Sequence, residues 1–503
     1  MIPKVHSVTC IGIQAYPITI EVDDSLGLPK IIIIGLPDQA IKESKDRLRS
    51  AISASGFSLP SKSFTVNLAP ADIKKEGPGF DLPIAMGLLA KIGCIEPERL
   101  EAFAFVGELA LDGKLRSIHS TLSMAMGLKG RGKTLILPRE NYREAILQKE
   151  VRILPARDLK EVVELIMSSD EAVGKDVNIA SRRIQEKYPV YSEDIRGQAS
   201  AKRALEVAVA GAHNIVMIGP PGSGKTLLAR SIPSLLPKAS HEEFLEIVRI
   251  YSARSFVKEV SFERPFRAPH HTISAPAMAG AGTSPRPGEI SLAHNGVLFL
   301  DEFPEFPRHV LETLRSPIED KEVTIARAKD TFTYPANFML VCAMNPCPCG
   351  YLGDTKRECT CTHDRILKYR SRISGPILDR IDIHIEVPRI KHHELKRKNA
   401  GETSACIRER IERVRAVQRK RYKEFGFYTN ADLPSKLIEI FCALGKEADD
   451  LLDLAVKELN LSARAYHRIL KLGRTIADMS GSEGIGLEHI SEAIQYRTLD
   501  RQA

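Results

Sequence analysis

No stretch of the chain reaches the roughly 18 uninterrupted apolar residues that a membrane span needs. The longest strongly apolar runs, such as IIIIGLP from Ile31, are strand-sized. The first residues, MIPKVHSVTC, carry neither a basic region ahead of a long apolar segment nor a small-residue cleavage site. A cytoplasmic protein without membrane contact is therefore the expectation. Internal repeats and low-complexity tracts are missing too. Nor do the nine cysteines form the short, evenly stapled framework of a secreted protein. Cys10, Cys94, Cys406 and Cys442 stand alone, whereas Cys342, Cys347, Cys349, Cys359 and Cys361 fall within twenty residues. An odd, clustered set reads as a metal site in a reducing compartment.

What is present is globular composition. A hydrophobic share of 43% and a charged share of 27% exclude wholesale disorder. The 503 residues are too many for one core and suggest about three domains. The net charge of +8 is mild, but it is unevenly placed: from Arg365 to Glu424, 18 Lys/Arg face 8 Asp/Glu. Such concentration fits a polyanionic partner and equally fits the solvated face of a charged helix.

Periodicity divides the chain into an α/β multidomain protein. Residues 1–168 alternate strand-like runs (ITIEVDD, KIIIIGLP, SFTVNLAP, FAFVGELAL, KTLILP) with helical periods (SKDRLRSAISASG, closed by Gly56, and DLPIAMGLLAKIG), an α+β domain. Residues 169–191 are polar, lack a sustained apolar period and read as a linker. Residues 192–388 alternate strands and helices as a nucleotide-binding α/β domain should. Residues 389–503 are almost all helical, with Ile407, Ile411, Val414 and Val417 marking one amphipathic face.

The strongest motif is Gly219-Pro220-Pro221-Gly222-Ser223-Gly224-Lys225-Thr226, between the apolar run ending at Ile218 and the helical TLLARSI. Strand before and helix after is the context a phosphate-binding loop requires. Its glycines let backbone N–H groups close around phosphates at a helix N-terminus, Lys225 reaches the β/γ-phosphates, and Thr226 offers a hydroxyl to Mg²⁺. Further on, Val297-Leu298-Phe299-Leu300 ends in Asp301 and Glu302. Asp301 would hold Mg²⁺ through water, and Glu302 would orient and deprotonate the attacking water. Together these elements predict an NTPase, in first place an ATPase.

The order of motifs from Asp194 onward resembles an AAA+ ATPase of the magnesium-chelatase-like branch: Asp194-IRGQ, GPPGSGKT, Arg264-PFRAPHHTIS, Pro285-RPGEISLAHNGVLFLDE, Ala343-MNPCPCG and Ser374-GPILDRIDIHIEVP. With the N-terminal block added, nearly the whole chain, from about Val8 to Arg497, is similar to the ComM (YifB-like) family, bacterial proteins resembling hexameric DNA branch-migration helicases. That resemblance implies further roles. Gly197 and Gln198 would pack on adenine, Asn345 would serve as sensor one, and Arg380 would be an arginine finger reaching a neighbouring subunit's γ-phosphate. Arg464 would be sensor two on the helical lid. A trans-acting finger implies a ring, in this family a hexamer.

Cys347, Cys349, Cys359 and Cys361 form two C-x-C knuckles nine residues apart, a set that suits tetrahedral Zn²⁺ with His363 as a substitute ligand. The other reading is reduced cysteines that shape the loop. Cys342 reads as strand core. His270 and His271, with Arg264 and Arg267, lie in an insertion expected at the ring's pore or subunit contact. A second insertion reads as a hairpin, Glu322-VTIAR and Thr331-FTYPANFML around Ala328-Lys329-Asp330. From it Arg327 and Lys329 are expected to contact DNA phosphates without reading sequence. The basic stretch from Lys396 to Arg421 offers a second DNA surface, without aromatics interleaved for base stacking.

Residues 1–168 resemble a Lon-type proteolytic domain through Gly107-Glu108-LALDGKLRSI and Leu137-Pro138-RENYREA. The serine–lysine dyad of that family is missing: Gly77-Pro78-Gly79-Phe80-Asp81 stands at the nucleophile's place and Ser120-TLSMAM at the lysine's. Without an activated hydroxyl, acyl transfer is not expected. The resemblance implies an ATP-driven DNA motor that promotes branch migration and strand integration by homologous recombination in natural transformation, with recombination proteins as partners. The rivals are a chelatase-like ATPase serving porphyrin metal insertion and a nucleotide-gated scaffold that remodels a protein.

Overall fold

The computed structural model describes residues 2–168, 188–257, 261–281, 286–326, 331–390, 401–459 and 461–497. The chain forms two compact units, one of residues 1–184 with 244–261, the other of residues 185–243 with 262–503.

The first unit is built on a seven-stranded mixed sheet, in the order Lys30–Ile34, Ser63–Ala69, Gln14–Ser25, Lys4–Ile11, Phe103–Phe105, Thr134–Pro138, Ile153–Ala156. Ile18, Ile20 and Val22 are buried at period two, which is why ITIEVDD forms a strand. The helix Gln39–Ala54 starts where the Asp38 carboxylate accepts the Ile41 N–H at 2.9 Å and stops before Gly56, whose φ of +89° ends it. FAFVGELAL does not run as one strand: Phe103–Phe105 and Glu108–Leu109 belong to separate sheets, because the Gly107 N–H turns to the Gly79 carbonyl at 2.9 Å. Lys4–Ile11 and Ile153–Ala156 were not expected as strands. Their polar and proline content hides the alternation.

Segment 244–261 is also part of this unit, although it lies in sequence among the motifs of the nucleotide site. Arg249 donates to the Ile13 carbonyl at 2.7 Å. The Ser252 hydroxyl donates to Glu144 Oε1 at 2.5 Å and accepts the Ser120 N–H at 2.8 Å. Leu122 N–H donates to the same carboxylate at 2.8 Å. Burial pushes the Glu144 carboxyl above its ordinary range, and these hydrogen bonds oppose that rise.

In the second unit five strands lie parallel in the order Phe266–Arg267, Val297–Leu300, Met339–Met344, Ile215–Ile218, Ile383–Glu386. Alternate residues feed two cores. Ile215, Met217, Val341 and Ile383 face one side, while Val216, Leu298, Leu340 and Cys342 face the other. Strands covered on both faces read as continuous apolar runs, as these do. The helices Ala199–Gly211, Ser404–Tyr422 and Ala463–Ser480 share the first core, so the helical residues beyond 400 and the sheet are packed as one body.

On Ser404–Tyr422 the apolar stripe departs from the expected one. Ile407, Ile411 and Val414 are buried, but Val417 is 48% exposed and Gln418 takes the next buried position. Its amide donates to the Ala210 carbonyl and accepts the Asn430 N–H, both at 3.2 Å. The 4-3-4 spacing of a helix face made 418 the geometric choice, and these hydrogen bonds make a polar residue tolerable there. The basic character of this helix is partly internal. Arg410 pairs with Glu206 and Glu402, Arg415 donates to the Val209 carbonyl at 2.8 Å, and Arg421 pairs with Asp478. Those three guanidiniums are engaged within the unit. Lys396, Arg397 and Lys398 lie outside the described residues.

Ser252→Ala strips the buried Glu144 carboxylate of a hydroxyl donor, and a loss of about 1–3 kcal/mol is expected on denaturant unfolding. The removed bond favours the ionised carboxyl, so the loss should grow as pH rises and that carboxyl ionises.

Candidate nucleotide site

The strand Ile215–Ile218 lies between two parallel neighbours, and the chain leaving its carboxyl end enters the crevice where open α/β sheets bind ligands. Gly219 passes so close to Val387 that a Cβ would fall on its carbonyl oxygen. Gly222 and Gly224, at φ +75° and +95°, have left-handed backbones with open space where side chains would be. Lys225 begins the helix Lys225–Leu235. Its buried ammonium donates to the Gly219 carbonyl at 2.7 Å, the Pro220 carbonyl at 3.0 Å and Asn345 Oδ1 at 3.2 Å. Burial pushes its pKa down to about 8, with the Asp301 charge opposing. The Ser223 hydroxyl is buried without a partner among the described residues. A desolvated ammonium, an unpaired hydroxyl and a helix N-terminus on an open glycine loop suit a phosphate.

The acidic pair meets this loop. Thr226 Oγ1 donates to Asp301 Oδ2 at 2.8 Å, so the two residues expected to hold Mg²⁺ touch. Their oxygens fit a hard cation. Glu302 has a φ of +52°, its N–H donates to Asp301 Oδ1 at 2.9 Å, and its side chain is 58% exposed. Its carboxylate lies 3.0 Å from His271 Nδ1. Asn345 directly follows the strand Met339–Met344 and holds the Lys225 ammonium. Gln198 caps Ala199–Gly211 from a left-handed backbone, after Gly197 at φ +62°, and its amide donates to the Ser223 carbonyl at 3.1 Å and the Pro388 carbonyl at 2.6 Å. Gln198, the phosphate loop, Asp301 and Asn345 are thus linked by direct bonds, and Glu302 is joined through Asp301.

The two arginines are placed differently. Arg380 is buried, with its guanidinium 2.8 Å from Glu319 and donating to the Pro376 carbonyl at 2.6 Å. Arg464 is exposed in the first turn of Ala463–Ser480. One turn on, Arg468 pairs with the buried Asp382 of the LDRID segment, which also accepts the Asn214 N–H at 2.9 Å. Burial would raise the Asp382 carboxyl, but Arg468 and His213 hold it far below the usual range. Sequence reasoning missed this pair and the His271–Glu302 contact. The four-residue step from Arg464 to Arg468 was a usable signal, whereas nothing local pointed from His271 to Glu302.

The expected insertions resolve in part. Arg264 bonds to Glu243 and to the Pro237 and Asn295 carbonyls, and Arg267 grips Glu289 with two hydrogen bonds, so both serve inside this unit. The hairpin is there, with Glu322–Ala326 antiparallel to Thr331–Pro335. Its second strand stops at Pro335, and Met339–Met344 is a separate strand of the central sheet. Arg327 and Lys329 lie outside the described residues. The sulfurs of Cys347, Cys349, Cys359 and Cys361 all lie within 4.8 Å of one another. His363 opens the next helix and is not in that group, and Cys342 is buried strand core, as expected.

Two outcomes follow for nucleotide binding. Loss of the Lys225 proton removes the charge that attracts phosphate, so affinity for a fluorescent ATP analogue should fall as pH rises through about 8. A profile flat across that range contradicts the placement. Gly219→Ala should sharply weaken binding in equilibrium titration, because the new methyl meets the Val387 backbone rather than a movable side chain and the loop must shift.

Comparison with known proteins identifies the family. Residues 192–395 match the family described as magnesium chelatase, subunit ChlI; residues 20–141 match subunit ChlI of Mg-chelatase, and residues 401–497 match the subunit ChlI C-terminal family. Competence protein ComM of Haemophilus influenzae is 43% identical over 510 residues, covering 99% of this chain and 97% of its own length. The uncharacterized protein YifB of Escherichia coli is 43% identical over 503 residues, with the same coverage. Lon protease 2 of Bacillus subtilis is 30% identical over 149 residues, 28% of this chain and 27% of that protein. On these matches and this geometry, the chain belongs to the ComM (YifB-like) family of magnesium-chelatase-like AAA+ ATPases.

Proposed function

We propose that this ATPase is a ring-forming motor, a hexamer, that acts on branched or single-stranded DNA. It would promote branch migration and strand integration in homologous recombination during natural transformation, alongside recombination proteins in the cytoplasm. Family membership implies ATP and Mg²⁺. The observation that carries the ATPase part of the reading is the bond from Thr226 to Asp301, which joins the phosphate loop to the acidic pair. Competence, as the ComM relative's name has it, supports DNA as the substrate. No helix among the described residues is long and apolar enough to cross a membrane.

The roles follow from the chemistry of each group. Lys225 and the loop N–H groups would hold the β/γ-phosphates, with Thr226 and Asp301 the ligands of Mg²⁺, which neutralises phosphate charge when bound. Glu302 would take the proton of the attacking water. Asn345 would orient that water, and Gln198 with Gly197 would border the adenine. Arg380 would act on a neighbouring subunit's γ-phosphate after giving up Glu319, and Arg464 would act from the helical lid. Arg327 and Lys329, between the hairpin strands in sequence, would meet DNA phosphates. Cys347, Cys349, Cys359 and Cys361 would hold a structural Zn²⁺. The N-terminal block 1–168 would serve assembly or a partner rather than proteolysis.

ATPase rate with and without single-stranded and four-way-junction DNA tests the reading, at salt of about 50 and 200 mM. Stimulation that falls steeply with salt and disappears in Glu302→Gln is expected. Glu302-dependent turnover indifferent to every DNA would overturn the DNA assignment and favour a protein or porphyrin-insertion partner.

A further inference from the structure

The cysteine loop adjoins the phosphate loop, and its four sulfurs converge closely enough to share one metal ion. The Sγ–Sγ separations are 3.4 Å for Cys347–Cys349, 3.6 Å for Cys347–Cys359 and 3.5 Å for Cys349–Cys359. A disulfide would bring sulfurs to about 2.05 Å, far shorter. Four thiolates at about 2.3 Å around a tetrahedral zinc stand about 3.8 Å apart, close to what is seen. The Cys361 N–H donates to Cys359 Sγ at 3.4 Å, the kind of outer contact that steadies a thiolate ligand.

Three ties run from this loop to the nucleotide site. Cys347 lies two residues after Asn345, the partner of the Lys225 ammonium. Gly350, at φ +85°, packs its Cα against the Pro221 ring so closely that a Cβ would stand 2.8 Å from Pro221 Cγ and Cδ. Asp354 pairs with Arg389 at 2.7 Å, just beyond Val387 and Pro388, which border Gly219 and accept from Gln198. The knuckle therefore touches the phosphate loop directly at Pro221, and it connects to Lys225 and Gly219 through the neighbouring residues Asn345 and Arg389.

We propose that Zn²⁺ held by Cys347, Cys349, Cys359 and Cys361 is the support that holds the phosphate loop in its binding shape, so that nucleotide affinity depends on the metal. The inference rests on the ATP-site and zinc assignments above and extends them. Zinc enters as the divalent ion, and the thiol protons pass to solvent as the four thiolates form. With the metal gone, the loop of residues 347–361 keeps the Asp354–Arg389 pair and the Arg357–Tyr351 hydrogen bond but loses the four-sulfur cross-link between its two ends, and with it the support that holds Gly350 over Pro221.

The test uses the full chain, with bound metal measured directly and affinity for a fluorescent ATP analogue measured by equilibrium titration without DNA. About one zinc per chain is expected. Chelation should weaken analogue binding by about tenfold or more, and Zn²⁺ alone should restore it. Cys359→Ser should lose both metal and affinity. Gly350→Ala should keep zinc yet bind nucleotide weakly, because its methyl pushes Pro221. Zinc present, with affinity unchanged on reversible stripping, would overturn the coupling while both underlying assignments stand. Metal-free chain with full affinity would overturn the zinc site and the coupling together. Zinc-loaded chain that binds no nucleotide would overturn the ATP-site assignment and the inference built on it.

Discussion

A buried ammonium with backbone carbonyls for neighbours is the constraint on which the rest of this structure turns. Lys225 gives up water for the Gly219 and Pro220 carbonyls and the Asn345 amide oxygen, and burial lowers its pKa to about 8. That environment is costly for a charge, and a phosphate anion beside it would offset the cost. The glycines around it follow from the same need. Gly219 must pass the Val387 carbonyl, and Gly222 and Gly224 must leave room above the loop. Strand order then supplies the acids, because Val297–Leu300 and Ile215–Ile218 flank Met339–Met344 and end on the same side of the sheet.

Around this centre the chain spends its charge inward more than its composition indicates. Arg264, Arg267, Arg380, Arg410, Arg415 and Arg421 each bond to an acid or a carbonyl of their own unit. Partly buried arginine pairs of this kind give geometric definition more than net stability. For Arg380 this bears on the proposed finger role: held by Glu319, it would have to exchange that partner to reach a neighbouring site. The His271–Glu302 contact has the same character, since it occupies the carboxylate proposed to activate water.

The parts legible in the sequence were those encoded locally. A strand, a glycine loop and a helix in succession identified residues 219–226. An apolar run ending in Asp301-Glu302 identified the second element, and two closely spaced cysteine knuckles identified a site whose sulfurs do converge. The hairpin strands were read from alternation over a few residues. What stayed hidden depended on distant partners. Gln418 rather than Val417 is buried because Ala210 and Asn430 happen to complement an amide. Residues 244–261 join the N-terminal unit because Ser252 and Arg249 find Glu144 and Ile13 more than a hundred residues away, a relation no periodicity carries. The inward use of arginine was likewise invisible, since composition counts charges without their partners.

The central claim is that ATP hydrolysis at Glu302 drives movement on DNA, and the most direct measurement is strand separation from a labelled four-way junction followed in real time. Conversion that requires ATP and Mg²⁺ and is lost in Glu302→Gln, while that variant still binds nucleotide, is the result this account predicts. An intact junction in the presence of vigorous wild-type ATP turnover would contradict it.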